Sequence, residues 1–329
     1  MKNLLTEEIK KALDALEVTD VEIEVTKPAL AENGDFSTNI AMKLARTLKK
    51  NPMLIAEEIV SKIDNSSIKN IEIKAPGFIN FFVSKDYLLE NINKVLDEKE
   101  RYGSSNIGNG QKINIEFVSA NPTGILHLGN ARGGAYGDSL ARIMKFCGFD
   151  VTSEYYINDL GSQITNLGLS IIARYKEICG LPSEMPENGY YGKEIIAIAQ
   201  KLYDEHKDTY LDKDLDYFKK LGTEEMVGHI FDDLKEYRIE YDVKTSEKAL
   251  SEKYDLKEVV NILNKNGYTY EKDGATWFKC SALFDDKDHV LIKEDGNATY
   301  FLPDIAYHMD KINRGFDKMI DIFGADHHG

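Results

Sequence analysis

Ile113-Asn114-Ile115-Glu116-Phe117-Val118-Ser119-Ala120-Asn121-Pro122-Thr123-Gly124-Ile125-Leu126-His127-Leu128-Gly129-Asn130-Ala131-Arg132-Gly133-Gly134 is the stretch that decides how this chain folds. Its first six residues are rich in β-formers and predict a strand over 113–118. Ala131 to Cys147 has helical spacing with Gly148 as its stop, and Val151 to Tyr156 is the next strand. Strand, loop, helix and strand in that order open a parallel, doubly wound (Rossmann-type) sheet. Such sheets bind nucleotides above the carboxyl ends of their strands, where a helix start offers free N–H groups to phosphate. His127, just ahead of the helix, can donate to phosphate oxygens, and Gly129 lets an adenosine ring approach the backbone. On those few residues alone, a histidine capping a helix beside a permissive glycine is an equally good reading.

Working outward, the loop Tyr102-Gly103-Ser104-Ser105-Asn106-Ile107-Gly108-Asn109-Gly110 has no periodicity and marks a domain junction. The expected division is residues 1–108, a small α+β domain, and residues 109–329, an incomplete α/β domain carrying helical and hairpin insertions roughly over 165–300. In the first domain, apolar Leu5, Ile9, Ala12 and Leu16 predict a helix over 3–17, and Val21-Glu22-Ile23-Glu24-Val25 alternates as a half-buried strand. A helix is expected from Ser37 to Lys50, burying Ile40, Ala41, Leu44, Ala45 and Leu48, with Lys43, Arg46 and Lys50 as a basic stripe opposite. Asn51-Pro52 starts another helix; strands over 71–74 and 78–83 and a helix over 85–99 complete an antiparallel sheet with helices against it. Past the second strand of the α/β domain, residues 160–240 read as helical. Lys272-Asp273-Gly274 and Glu294-Asp295-Gly296 signal hairpins, and a helix from Pro303 to Asn313 and a strand from Lys318 to Phe323 resume the α/β pattern.

Composition limits the function classes. Of 329 residues, 42% are hydrophobic and 29% charged, which is ordinary for a globular protein. No apolar run approaches the ~18 residues of a membrane span, and the first residues lack the apolar core of a signal peptide, so a soluble, cytoplasmic protein is expected. Cys147, Cys179 and Cys280 are too few and too far apart for a disulfide framework or a cysteine zinc site. The net charge of −15 argues against wholesale phosphate binding and confines any nucleic-acid contact to local basic patches.

Six separated motifs carry a resemblance. Ser119-Ala120-Asn121-Pro122-Thr123-Gly124 through His127-Leu128-Gly129-Asn130-Ala131-Arg132-Gly133 is similar to the first signature of class I aminoacyl-tRNA synthetases in the form seen in bacterial arginyl-tRNA synthetases. Glu154 to Ile164, Asp295 to His308 and Phe323 to Gly329 also resemble that family. Gly34-Asp35-Phe36-Ser37-Thr38-Asn39 and Ala75-Pro76-Gly77-Phe78-Ile79-Asn80 resemble its amino-terminal domain. The one departure is Asn130, which stands where the signature has its second histidine; an amide can donate a hydrogen bond but carries no proton.

The resemblance implies an arginine–tRNA ligase that uses ATP with Mg²⁺ and acts on L-arginine and tRNA(Arg), as a monomer. Neither of its two steps needs a protein nucleophile, which agrees with the lack of a Ser/His/Asp or Cys/His arrangement. By resemblance, Pro122, Gly124, His127, Gly129 and Asn130 form the ATP site, with His127 and Asn130 as the catalytic donors. Glu116, Ser119 and Asn121 contact or position the amino acid's backbone groups. Tyr300 and Asp304 hold the guanidinium, with His327 in the pocket wall, and Lys43, Arg46 and Lys50 meet tRNA phosphate. Without the resemblance, Asp304 is simply an acid in a first helical turn, and the basic stripe a solvated face. His327 and His328, adjacent on an extended segment, point to opposite faces, so no protein-held metal is expected. Lys244-Thr245-Ser246-Glu247-Lys248 imitates the family's second, lysine-rich ATP signature but precedes the second half of the sheet; the true copy and an anticodon-binding domain are expected beyond Gly329, and this piece alone is expected to turn over poorly. Two rival readings are a non-catalytic tRNA- or arginine-binding module and a small-molecule nucleotidylyltransferase.

Overall fold

Two units divide the chain in the computed structural model, which describes residues 1–283 and 285–324. They are Met1–Gly103 and Ser104–Gly329. Residues 104–108, read from sequence as the end of the first domain, bond to the second: Ser105 N–H donates to Phe146 O at 3.2 Å and Gly108 N–H to Cys147 O at 2.9 Å.

In the first unit, α1 (Lys2–Asp14) buries Leu5, Ile9, Ala12 and Leu13. Strand β1 (Phe36–Thr38), helices α2 (Ile40–Leu48) and α3 (Pro52–Val60), strands β2 (Ile68–Lys74) and β3 (Phe78–Val83), and helix α4 (Lys85–Glu98) follow. The antiparallel sheet has the order β1-β3-β2. Asn51 caps α3 by accepting from Met53 N–H, with Pro52 at the first helical position, as expected. Two expectations fail here. Ser37 and Thr38 lie in β1, not in a helix, because Ser37 Oγ donates to Asn80 Oδ1 at 2.7 Å inside the sheet; at the far end Leu48 is 40% exposed. Val21–Val25 has the alternating burial of a strand but no ladder, and only Thr26 makes an isolated bridge, to Ser37.

The second unit begins with β4 (Lys112–Phe117), α5 (Leu128–Phe146) and β5 (Asp150–Ile157). Three helices come next, α6 (Gly161–Ile178), α7 (Lys193–His206) and α8 (Leu215–Glu236), packed around Leu167, Ile171, Tyr175, Ile195 and Phe218. Then come β6 (Val243–Ser246), α9 (Glu247–Lys253) and α10 (Leu256–Lys265). The antiparallel strands β7 (Thr269–Lys272), β8 (Ala275–Phe278) and β9 (His289–Ile292) precede α11 (Phe301–Asn313) and β10 (Lys318–Ile322). The hairpin at Lys272–Gly274 joins β7 to β8; the turn at Glu294–Gly296 closes only a single bridge, Ile292 to Ala298.

Strands β10-β4-β5-β6 form one parallel sheet in that order. The chain moves outward from β4 through β5 to β6, then returns to the other side of β4. The order therefore reverses between β10 and β4, the place where open α/β sheets take ligands at their carboxyl edge. The presence of β6 also corrects the picture of a single insertion over 165–300, since residues 243–246 belong to the main sheet. Cys147, Cys179 and Cys280 are free thiols. Among the described residues no helix is long and apolar enough to cross a membrane.

Helix α5 lies so close to β4 that a Cβ at Gly137 would come within 2.2 Å of Phe117 Cγ, and Phe117 is fully buried. Gly137→Ala must push that ring or the helix aside, at a cost of about 1–3 kcal/mol. A lowered denaturant midpoint with unchanged helix content is the expected result; an unaltered midpoint would show that the helix can back away freely.

Candidate active site

Along β4 the side chains alternate between two environments. Ile113, Ile115 and Phe117 enter the apolar core with Ala141 of α5 and Ile230 and Leu234 of α8. Asn114 and Glu116 face the other way, yet they are 0% and 3% exposed, because α11 covers that face. A carboxylate shut away from water needs a compensating charge. Lys311, itself 0% exposed, donates from Nζ to Glu116 Oε2 and to Asp321 Oδ1, both at 2.8 Å. Its ammonium also lies 4.2 Å from the centre of the Tyr307 ring. One strand over, buried Glu154 accepts from Asn114 Nδ2 at 2.6 Å and from Arg314 at 2.8 Å. Burial pushes the Glu116 carboxyl up and Lys311 pulls it back. For Lys311, burial favours the neutral amine, but Glu116 and Asp321 outweigh it and raise the pKa.

This network reaches the carboxyl edge of the sheet by two routes. The first is the loop after β4. Val118 (φ 69°) and Ser119 (φ 39°) are both left-handed, a conformation a β-branched residue adopts only when its surroundings force it, at about 1–3 kcal/mol each. The restraints are visible: Tyr241 OH donates to Phe117 O at 2.9 Å, and Tyr155 OH donates to Ala120 O at 2.8 Å. Ser119 Oγ donates to Glu116 Oε1 at 2.8 Å and accepts from Tyr156 N–H at 3.1 Å.

The second route is α11, which must run antiparallel to the strands to feed β10. Asp304 precedes Lys311 by two turns, roughly 10 Å nearer the carboxyl edge. Between them sits His308. Its Nε2 is 3.1 Å from Asp321 Oδ2, and its Nδ1 lies 2.9 Å from Asp304 O and 3.6 Å from Asp304 Oδ1. The hydrogen bond to Asp321 raises the imidazole to about 9. Burial opposes ionisation of Asp321, but His308 and Lys311 prevail and hold it near 2. Partial burial raises Asp304 and His308 opposes the rise; 51% of the Asp304 side chain still meets solvent. The Tyr156 ring packs tilted against Tyr307, centroids 4.7 Å apart, and its phenol is raised by burial and by Glu247, Asp304, Glu116 and Asp159 around it.

At the start of α5, His127 is a helix cap. His127 Nδ1 accepts from Gly129 N–H at 3.1 Å and from Asn130 N–H at 3.4 Å, while Asn130 Oδ1 accepts from His127 N–H at 3.1 Å. An Nδ1 that accepts leaves the ring proton on Nε2. A Cβ at Gly129 would stand 2.9 Å from His127 Cε1, so the glycine makes room for the capping ring. Pro122 is buried, and Gly124 faces open space. Beside His127 lies a groove of about 560 Å³, walled by Leu126, Leu128 and Ala131, by Asp233 and Glu236 of α8, and by Tyr237 just past its end. It lies on the α8 side of the loop, and none of the expected arginine contacts lines it.

The structure thus brings Glu116, Ser119 and Asp304 into one bonded chain of groups. Asn121 is exposed in the same loop, and Tyr300, 84% exposed, opens α11; neither side chain is tied to that chain. His327 lies outside the described residues. In the first unit, Lys43 pairs with Glu24 at 3.4 Å and Lys50 with Glu58, while Arg46 makes no ion pair among the described residues. Among the described residues no three His, Cys, Asp or Glu side chains converge to hold a metal. Sequence reading missed Lys311, His308, Asp321, Glu154 and Arg314. The one signal was helical spacing, since 304, 307, 308, 311 and 314 share a face, but a charged stripe ordinarily points to water.

Family models match both units: the arginyl-tRNA synthetase N-terminal domain over residues 2–83, and the class I (R) tRNA synthetase catalytic domain over residues 91–328. The chain is 48% identical to the arginine–tRNA ligase of Bacillus subtilis and 49% to that of Geobacillus thermodenitrificans, in each case over 100% of this chain and 61% of the relative. It therefore spans about three fifths of the length of these relatives. A solved chain from Campylobacter jejuni superposes with a TM-score of 0.69 at 35% identity, over 75% of this chain and 55% of that one. Thermus thermophilus arginyl-tRNA synthetase superposes with a TM-score of 0.60 at 21% identity, over 94% of this chain and 53% of that one, a likeness of fold.

Two outcomes follow from the buried charges. Lys311→Met strands Glu116 and leaves Asp321 with His308 alone, and should destabilise the second unit by about 3–5 kcal/mol, read from chemical denaturation; a loss under 1 kcal/mol would mean that Glu116 finds water. Asp321, with its depressed pKa, contributes stability above pH 3.8 that is lost as pH falls through about 2. His308, with its elevated pKa, contributes below pH 6.5 and loses its contribution as pH rises through about 9. The melting temperature of His308→Gln should therefore fall furthest below wild type at pH 4–6.5 and converge with it above pH 9. A gap independent of pH would contradict the ionised pair.

Proposed function

Since the chain belongs to the arginyl-tRNA synthetase family of class I synthetases, we propose that the full-length protein joins L-arginine to tRNA(Arg) at the expense of ATP. The observation that carries this reading is the uninterrupted likeness of the whole chain to curated arginine–tRNA ligases. In the first step an arginine carboxylate oxygen attacks the α-phosphorus of ATP, and pyrophosphate leaves. In the second a ribose hydroxyl of the tRNA's last adenosine attacks the arginyl carbonyl, and AMP leaves. Both are displacements in which charge builds on oxygens, so placement and charge stabilisation carry the rate.

The residues divide the work accordingly. The Gly129 and Asn130 N–H groups are occupied by the His127 ring, which leaves its Nε2–H as the outward donor to a phosphate oxygen. The Asn130 amide, whose oxygen already accepts from His127 N–H, offers its NH₂ beside it. Pro122, Gly124 and Gly129 shape the loop that ATP lies against; any Mg²⁺ that arrives with ATP is held by phosphate and water. Asp304 and Tyr300 at the start of α11 take the guanidinium, because a forked cation pairs best with a carboxylate. Glu116 supplies negative charge at the floor and holds Ser119 in place, and Asn121 and Ser119 meet the amino acid's polar groups. On the first unit Arg46, and Lys43 and Lys50 once released from their acids, contact tRNA phosphate. Cytoplasmic location and a monomeric state complete the proposal.

With the full-length protein and tRNA(Arg), arginine should drive ATP–pyrophosphate exchange and form arginyl-tRNA, while lysine should not. Asp304→Asn should raise the arginine KM by roughly tenfold or more, the worth of one charge-assisted contact. Equal exchange with lysine, or no exchange with any amino acid, would remove the assignment.

A further inference from the structure

We propose that His308 is a positioning residue for guanidinium recognition: as an imidazolium clamped between Asp321 and Asp304, it keeps the Asp304 carboxylate ionised and oriented to receive the substrate cation. The proposal rests on the reading that Asp304 contacts arginine, and it adds the group that makes such contact possible in a site crowded with acids.

The argument is one of charge and geometry. From Glu116 a continuous chain of contacts runs through Lys311, Asp321 and His308 to Asp304, with steps of 2.8, 2.8, 3.1 and 3.6 Å. The three carboxylates and two cations alternate, so the chain carries one uncompensated negative charge. It falls at the Asp304 end, where half the side chain remains open to solvent. One guanidinium makes the assembly neutral. Without His308, Asp304 would face Asp321 with only the more distant Lys311 to oppose it, and its cheapest response would be to take up a proton. A protonated Asp304 cannot pair with a guanidinium. The groups that face Asp304 are His308 and Lys311 on its own helix, Asp321 on β10 and Tyr156 on β5. Of these, His308 is the cation nearest its carboxylate, one helical turn away on the same face. Asp321, gripped by both His308 Nε2 and Lys311 Nζ, fixes the ring so that Nδ1 looks back toward Asp304.

The test is the pH profile of the arginine KM in the full-length protein, measured by pyrophosphate exchange. Wild-type affinity falls at acid pH as Asp304 protonates. His308→Gln retains a hydrogen-bonding side chain without charge and should move that acid limb to higher pH by about one pH unit, with the effect on KM rather than kcat. His308→Lys keeps a positive charge and should leave the limb near its wild-type place. If His308→Gln raises KM equally at every pH, or both variants shift the limb alike, His308 only fills space and the proposal fails. Asp304→Asn separates this from the underlying reading: an unchanged arginine KM in that variant sinks the contact itself, whereas a raised KM without an acid limb upholds it. Should His308→Gln not fold, nitrogen NMR of the wild-type imidazole decides the matter. A protonated ring across neutral pH, with and without arginine, supports the clamp, and a neutral ring overturns it.

Discussion

A single buried ammonium holds the second unit's two halves in register. Lys311 Nζ meets Glu116 on β4 and Asp321 on β10, two strands that the chain reaches about two hundred residues apart. Glu116 could not remain ionised on a dry sheet face without it, Asp321 would be left with His308 alone, and the lysine could not be buried without acids to pair with. Most α/β sheets cover such a face with an apolar helix stripe. Here the covering stripe of α11 is polar: Tyr307, His308 and Lys311, with Arg314 at the cap just past its end, turn toward the sheet, while Leu302 and Ala306 pack into the core shared with α10 and β8–β9. An oily stripe would hold the helix at a range of offsets, but paired charges with definite partners allow one. That is how a helix more than 180 residues downstream sets Asp304 at a fixed height above Glu116.

The same register supports the strained loop. Glu116 accepts from Lys311 with one oxygen and from Ser119 with the other, so the charge that locks α11 also locks the left-handed turn at Val118–Ser119. Strain of this kind persists where surrounding contacts over-determine it. In this loop the contacts come from three directions: Tyr241 on Phe117 O, Tyr155 on Ala120 O, and the Tyr156 N–H on Ser119 Oγ. Beyond the turn the chain is delivered to His127 in an extended conformation, ready to cap α5.

Local structure was legible in the sequence, and long-range chemistry was not. Asn51-Pro52 reads as a helix start because cap and proline act within three residues, and the β4–loop–α5 passage reads as a strand-to-helix turn because its signals are contiguous. Val21–Val25 shows where periodicity stops: alternation foretold which side chains are half-buried, but a ladder needs a partner along its length, and here contact with β1 is made only at Thr26. Ser37 and Thr38 were assigned to the following helix because nothing local shows that Asn80 waits across a strand. Lys311 and Arg314 were passed over since charged residues at helical spacing normally face water. The warning was on the strand side: Glu116 is flanked by Ile115 and Phe117 and Glu154 lies next to Tyr155, in strands central to the sheet, and a central strand exposes neither face.

His127 shows why a motif's bland and functional readings need not compete. The ring caps α5 through Nδ1, and in doing so it fixes which nitrogen carries the proton and where that proton points. Gly129 is small for the ring's sake, since its Cβ would meet Cε1, and Asn130 completes the cap from the other side with its carbonyl oxygen. An amide can close this reciprocal cap with its oxygen and still present its NH₂, two tasks that an imidazole at position 130 would have to divide between ring nitrogens. The departure from the two-histidine signature is therefore compatible with both the helix start and an outward donor, which follows from hydrogen-bond capacity without appeal to proton transfer.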